Sequence, residues 1–507
     1  MSATTHFRVV FLILLVILYC NPSKGTREKL ESQQFHPKCY SPCSTWPSFT
    51  NENNSYIYLL GLFLQQRSKT TLTKHFQTSA EPALFRAAIL LAQQSNITIN
   101  GKQIAYRVEE TSGRDIIEAL DRTCIAIAED EVFGIVGPEY STEAKTLARF
   151  GNRSGLPVVG YSTTEPELSD RNAYKTFYRL PPSDVIKARA LLKLFQKYKW
   201  NSTNVIYQAD SFGQGGLQAL NEVFNDEVKI ARSIRFNLFT DHIENLQFQL
   251  EDSPSRIVIV MAITNVTTKV IDLALKVGDV LAPSFLWILT ASNSTMNILD
   301  NPKVNQLKGM LILRLVSPQT FNISTDTDAL NKALNIWKQY DPDSFHANEG
   351  HLDIYALYAF DAAWLLILAF RELCQKNSTT CLSFKNRSNC FSSHLAARNE
   401  LHQILQTMNF TGLTGLVQFG SNRTDRVDST GAHYVIDNVQ LSSANSNRLQ
   451  LVEVLRLNGI GLSIIHNNNT AVWTTTGNRI QWPRSWNNVP TDYPLLKGRS
   501  KRKNFAS

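Results

Sequence analysis

Several things are missing from this 507-residue chain, and each absence removes a class of function. It has no Gly-x-Ser-x-Gly elbow, no His-Glu-x-x-His, no phosphate loop and no complete dinucleotide fingerprint. Gly459-Ile-Gly461 is only a fragment of the last, and His346, Glu349 and His351 stand in the wrong order for a zinc peptidase, in what reads as a loop. No tight Cys/His quartet is present, which argues against zinc at Cys39/Cys43 or Cys381/Cys390. Catalysis is therefore not expected, and neither a metal nor an organic cofactor is implied. Long apolar runs are also scarce. Val9 to Cys20 follows Arg8 and precedes the small residues of Ser23-Lys24-Gly25, so residues 1–25 read as a cleaved secretory signal, too short in its apolar part to span a bilayer. Ile354 to Phe370 is the other run. It holds Asp361 near its middle and is bounded by Asp353 and Arg371, which makes it a core helix and leaves no membrane span in the mature chain.

Nor is there a basic face, although the formal charge is +8. Arg8 and Lys24 leave with the signal, and Lys497, Arg499, Lys501, Arg502 and Lys503 crowd the end, so the body carries about +1. Cations and aromatics do not interleave as a nucleic-acid groove requires, so no nucleic acid is expected. The basic Arg499-Ser-Lys-Arg502 has the form of a processing site, or is a solvated tail.

What is there reads as an exported globular protein, 43% hydrophobic and 19% charged. Behind the signal stand Cys39, Cys43, Cys124, Cys374, Cys381 and Cys390, an even set in an oxidising compartment. Their clustering suggests one bridge from the N-terminal segment to Cys124 and another closing the loop after Cys374, although spacing does not settle pairing. Asn-x-Ser/Thr triplets begin at Asn53, Asn96, Asn152, Asn201, Asn265, Asn293, Asn322, Asn377, Asn386, Asn409, Asn422 and Asn468, which also favours a secreted or extracellular surface.

Strand and helix patterns alternate along the chain. Tyr56 to Leu64 is a buried strand, Ala83 to Gln94 a helix, and Ile104 to Val108, Ile116 to Ala128 and Val132 to Val136 continue strand, helix, strand. Such alternation implies a doubly wound parallel sheet. Phe133-Gly-Ile-Val-Gly-Pro138 then empties into Ser141 and Thr142 at the start of a helix. Leu156-Pro-Val-Val-Gly160 is a second buried strand ending in Tyr161, Ser162, Thr163 and Thr164. Adjacent parallel strands with hydroxyls at their C-terminal ends form a polar shelf where open α/β sheets hold ligands. The orphan N–H groups of the helix start and the hydroxyls of Ser141, Ser162 and Thr164 would suit an anion, at roughly 1.5–3 kcal/mol per charge-assisted bond. Capping and turn formation explain the same hydroxyls equally simply.

Arg179-Leu-Pro-Pro-Ser-Asp184 breaks regular structure before a helix from Val185 to Tyr198, capped by Ser183 or Asp184. A second strand-and-helix set follows, with a core of its own. The resulting division is a leader at 26–55, a first lobe at 56–182 and 316–407, a second at 183–315 and 408–458, and an exit segment at 459–507. Phe212, at a helix start in the second lobe, is either an aromatic lid over the guest or plain core.

These residues carry a resemblance. Gly134-Ile-Val-Gly-Pro138 with Ser141, Pro157-Val-Val-Gly-Tyr-Ser162, Leu168-Ser-Asp-Arg171, Tyr174, Thr176-Phe-Tyr-Arg179 and Pro182-Ser-Asp184 resemble the receptor family ligand-binding region. Phe410-Thr-Gly-Leu-Thr-Gly415, Asp425-Arg426, Tyr434 and Asn438-Val-Gln440 are similar to its second signature. The family includes extracellular modules of class C G-protein-coupled receptors, natriuretic peptide receptors and amino-terminal domains of ionotropic glutamate receptors. The resemblance implies two lobes of the type I periplasmic-binding kind, joined by three crossings and closing on a small ligand. It further implies a homo- or heterodimer through the first lobe. Ser162 to Arg179 and Arg479-Ile-Gln-Trp482 look closest to the GABA type B and metabotropic glutamate branches, whose ligands are amino-acid-like. In those branches shelf serines take the ligand carboxylate, at positions matching Ser141, Ser162 and Thr164, and Asp184 matches an Asp near the ligand amine. Departures are Phe212 in place of a Tyr, Ala291-Ser292 in place of an Asp, and Glu139, which would repel a carboxylate from the cleft. A natriuretic-peptide-type ectodomain or an ionotropic amino-terminal domain is the alternative.

Overall fold

A computed structural model describes residues 45–50, 55–65, 80–291, 304–345, 352–385, 390–420, 424–427, 432–442, 448–458 and 472–483. The signal, Cys39, Cys43, the His346–His351 group, the basic tail and the triplets at Asn53, Asn293, Asn386, Asn422 and Asn468 lie outside the described residues.

β1 (Tyr56–Leu64) is apolar throughout because both of its faces are covered. Ile57, Leu59 and Phe63 enter one core cluster and Tyr58, Leu60 and Leu62 the opposite one, as the two-residue period of a strand requires. After it come α1 (Ala80–Gln94), β2 (Gln103–Thr111), α2 (Ile116–Glu129), β3 (Val132–Val136), α3 (Ser141–Ser154), β4 (Val158–Gly160) and β5 (Phe177–Arg179). The five strands form a parallel sheet in the order β2-β1-β3-β4-β5, with α2 and α3 packed on one face and α1 on the other.

The chain then crosses. α4 (Asp184–Tyr198), capped by Ser183, leads to β6 (Ser202–Gln208), α5 (Ser211–Phe224), β7 (Lys229–Phe236), β8 (Ile257–Met261), α6 (Thr264–Val277), β9 (Leu286–Leu289) and β10 (Leu311–Leu315). A return crossing delivers α7 (Thr327–Tyr340), α8 (Ile354–Lys376) and α9 (Arg398–Thr407), which pack on the first sheet. The hairpin β11 (Asn409–Gly412) and β12 (Gly415–Gln418) follows, and a third crossing gives β13 (Tyr434–Leu441), β14 (Leu449–Asn458) and β15 (Val472–Thr475). The second sheet runs β15-β14-β13-β10-β9-β8-β6-β7, parallel from β10 to β7 and antiparallel beyond β10. The fold is thus α/β, two doubly wound lobes of the type I periplasmic-binding kind.

Two placements differ from the expected division. Leu413, Val417 and Phe419 of the β11–β12 hairpin enter the first core, beyond the crossing expected at 408. β15, within the expected exit segment, extends the second sheet, and Trp482 lies 5.4 Å from the Tyr198 ring centroid. At the front of the chain, Trp46 stacks on Tyr340 of the first lobe at 5.7 Å.

α8 is the one helix among the described residues long and apolar enough to cross a membrane, and it lies buried in the first core. Its Asp361 is fully buried and accepts from Leu413 N and Thr414 N, each at 2.8 Å, and from the Thr414 hydroxyl. A Cβ at Gly412 would collide with that carboxylate, so this turn of the hairpin admits only glycine.

The disulfides correct the expectation for Cys124. It bonds Cys390, across 266 residues, and so ties α2 to the segment before α9 rather than to the N-terminal segment. Cys374–Cys381 closes the loop after α8 as expected. Asn152, half-buried at the end of α3, donates to Ala173 O and accepts from Thr176 N at 3.0 Å.

Candidate ligand cleft

The C-terminal ends of β1, β3 and β4 form the edge of the first lobe that meets the second. A Cβ at Gly215 of α5 would lie 2.6 Å from Glu165 Cγ and 3.0 Å from Pro166 Cδ, so the two lobes touch there. On that edge Ser141 is the first residue of α3, and the cap position is Tyr140, whose side chain makes no cap bond. Capping therefore does not account for Ser141. It is 3% exposed, Thr142 and Ser162 are half-buried, and none of these three hydroxyls has a hydrogen-bond partner among the described residues. Thr163 Oγ1 is buried without a partner.

Thr164 and Asp184 behave differently. The Thr164 hydroxyl donates to Asp184 Oδ2 at 2.9 Å, and Asp184 N donates to Thr164 O at 2.8 Å. Lys187 Nζ reaches Asp184 Oδ1 at 2.6 Å, with the aspartate side chain fully buried. The Asp184 carboxylate is thus committed within the crossing and has no oxygen waiting for a ligand amine; it is the first residue of α4, and Ser183 is the cap. Phe212 is half-buried, with Lys187 Nζ 5.2 Å from its ring centroid.

Beside this crossing lies a cavity of about 380 Å³. Leu313, Leu334 and Leu357 supply apolar wall, and Lys187, Arg314 and Asp353 charged groups. Both cations are paired, Lys187 with Asp184 and Arg314 with Asp437 at 2.8 Å. Of the seven site residues expected from sequence, Thr164 alone lines the cavity; the shelf hydroxyls lie on the adjoining edge.

The group that sequence reasoning missed is acidic. Asp353 caps α8, accepting from Tyr355 N at 3.0 Å, and it lines the cavity with Tyr355. Glu81, in the first turn of α1, and Glu139, after β3, are close enough to Asp353 for the three to oppose one another's ionisation. Burial, then Asp353, pushes Glu139 up to about 7 against an amide hydrogen bond from Leu64. Burial and the same neighbours hold Glu81 well above the usual carboxylate range. Tyr161 is fully buried and its hydroxyl faces Glu139, favouring the ionised carboxylate through a contact short of good hydrogen-bond geometry. Glu143, also fully buried, accepts from the Thr111 hydroxyl at 2.8 Å through Oε2 and leaves Oε1 unpaired; burial pushes it up to about 7. The available signal was Glu139 beside the shelf and an acid before each helix, but nothing in their spacing said that they converge. Among the described residues, no group of acids, His and Cys is placed to hold a metal ion.

The family model for the receptor family ligand-binding region matches residues 85–440. Among curated relatives, glutamate receptor 2.1 of Arabidopsis thaliana is 25% identical over 316 residues, covering 61% of this chain and 33% of that protein. Glutamate receptor 2.6 is 23% identical over 471 residues, covering 87% and 46%, and glutamate receptor 3.7 is 24% identical over 336 residues, covering 63% and 34%. The chain therefore spans between a third and a half of the length of these relatives.

Proposed function

Because the chain belongs to the receptor family ligand-binding region, we propose that it is the ligand-sensing region of a glutamate-receptor-like protein, of the ionotropic amino-terminal kind, working outside the cell. The relatives are plant glutamate receptors, which favours this reading over the class C branch suggested by Ser162 to Arg179. A receptor region needs no chemistry, only a guest whose affinity differs between open and closed lobes.

One observation carries the reading. The first-lobe edge that faces the second lobe holds polar atoms without a hydrogen-bond partner among the described residues, at Ser141, Ser162 and Thr163, next to a cavity of small-molecule size. Donors already aimed cost little to recruit, so a small polar ligand bridging the lobes would stabilise the closed form. A thermal-shift screen of small amino acids, amines and carboxylates on the glycosylated chain tests this: at least one compound raises the melting temperature in a saturable way. Absence of any shift across the screen rejects it. Pairing through the first lobe is a second part of the proposal, supported by Ile117 and Ile125, which stand exposed on α2. Light scattering at rising concentration checks it.

A further inference from the structure

We propose that the cavity at the return crossing takes a small acid with a bulky apolar body, its carboxylate meeting the Tyr434 hydroxyl and Lys187 and its body the leucines around them. This rests on the cleft reading and names the class of guest. The walls of the cavity, of about 380 Å³, come from both lobes. Leu357 belongs to the core of the first lobe and Leu334 packs against it, Leu313 and Tyr434 belong to a core of the second, and Leu315 packs against both. Leu315, Leu334 and Leu352 are only half-buried, so each keeps apolar surface that a guest of matching character would cover. A small polar guest would leave that surface wet.

The spare polar groups give the sign of the head. Tyr434 is 2% exposed and lines the cavity, and its hydroxyl has no hydrogen-bond partner among the described residues; the Tyr355 hydroxyl, on the same wall, has none either. Burial raises both phenols above their ordinary range, so each stays a donor at neutral pH. Lys187 gives one of its N–H groups to Asp184 Oδ1 at 2.6 Å, and Arg314 pairs with Asp437 through Nε and Nη2, which leaves Nη1. Against these donors stands one acid, Asp353, which accepts from Tyr355 N at 3.0 Å and whose carboxyl burial raises above its usual range. Spare donors that outnumber the acid suit an anion, and a buried tyrosine hydroxyl without a partner is costly until one arrives. A carboxylate held by Tyr434 of the second lobe and by Lys187 at the first crossing, with its body on leucines of the first lobe, favours the lobe arrangement that keeps all three together.

The test uses the full glycosylated chain and three matched probes, hydrocinnamate, propionate and phenylpropylamine, followed by calorimetry and melting temperature at neutral pH. Hydrocinnamate raises the melting temperature in a saturable way. Propionate, which lacks the body, and phenylpropylamine, whose head has the opposite charge, bind at least about tenfold more weakly. Tyr434→Phe removes one oxygen and weakens hydrocinnamate about tenfold. Leu334→Trp, on a different element, fills the cavity, weakens hydrocinnamate by at least as much, and covers the case in which the first variant fails to fold. Propionate or phenylpropylamine binding as tightly as hydrocinnamate, or unchanged hydrocinnamate affinity in a folded Tyr434→Phe or Leu334→Trp protein, overturns the apolar-acid proposal and leaves the cleft reading standing. A response confined to other compounds of the thermal-shift screen does the same. No response to the three probes or to any compound of that screen overturns both.

Discussion

The hinge side and the cleft edge of the first lobe both bury polar atoms, and they treat them in opposite ways. On the hinge side Asp361, Arg426 and Arg179 are each matched, although Thr424 Oγ1 and His433 Nε2 nearby are not. Asp361 takes two amides and a hydroxyl, and Arg426 braces the same turn through Thr414 Oγ1 and Thr414 O, each at 2.8 Å. Arg179, fully buried at the first crossing, donates to Asp425, Ser169 and the Glu165 carbonyl. At the cleft edge Tyr161, Thr163 and Glu143 each keep a buried atom without a partner. An unpaired buried group costs about 1–3 kcal/mol, so leaving several on one edge is expensive for the apo fold. The contrast separates polar residues that build the lobe from polar residues held open for a guest.

Breaking the matched side gives the largest effect. Asp361→Ala strands Leu413 N, Thr414 N and the Thr414 hydroxyl beside the buried Arg426, and lowers stability by about 3–5 kcal/mol in denaturant unfolding. A loss under about 1 kcal/mol would mean that the network does not carry the hairpin.

The cleft edge answers to pH instead. Glu143 keeps its proton in the fold up to about 7 against an ordinary value of 4.5. Its folded form is favoured below the unfolded value, and stability falls as pH rises from about 4.5 to about 7, by a total of about 3 kcal/mol. Glu143→Gln keeps the acceptor for Thr111 and removes its own share of that slope, leaving the parallel fall due to Glu139. His402 and His433, which burial lowers to about 3 and about 4, lose stability on acidification in both proteins and cancel in the comparison. An unchanged slope in the variant places the titrating group elsewhere.

How much of this was legible in the sequence follows from the range of each signal. β1, α1 and β3 were readable because a buried strand or helix writes its burial into consecutive residues. Asp361 was readable as the mark of a core helix rather than a span, though its partners, in a hairpin beyond α9, were not. Cys124 was given the wrong partner because a bridge across 266 residues leaves no local trace. The shelf was read from two strand ends as a candidate site. Its acidic neighbours were not, since Glu81, Glu139 and Asp353 belong to three separate elements and meet only when the sheet order β1-β3 and the packing of α8 are known. The contact of Asp184 with Thr164 was unreadable for the same reason, since Thr164 comes from the strand end before the crossing.

The shelf hydroxyls sharpen the comparison on the binding side. Ser141→Ala and Ser162→Ala remove groups without protein partners, so each changes stability by less than about 0.5 kcal/mol. If the hydroxyls meet the guest, each variant weakens the compound that stabilises the parent in the thermal-shift screen by about tenfold, read by calorimetry. A variant that unfolds the protein while leaving binding intact would move its serine to the matched side.

The smallest expected change in stability is the most exacting test of the contrast. Tyr161→Phe deletes a single oxygen that is fully buried and faces Glu139 without a well-formed hydrogen bond, and the ring keeps its place against Phe63 at 5.3 Å between centroids. Removing a satisfied buried hydroxyl costs about 1 kcal/mol, whereas removing an unsatisfied one returns its desolvation penalty. Unfolding of the variant should therefore match the parent or exceed it slightly. A destabilisation above about 1 kcal/mol would show that the hydroxyl has a partner in solution, and would place Tyr161 beside Asp361 and Arg179 among the residues that build the lobe.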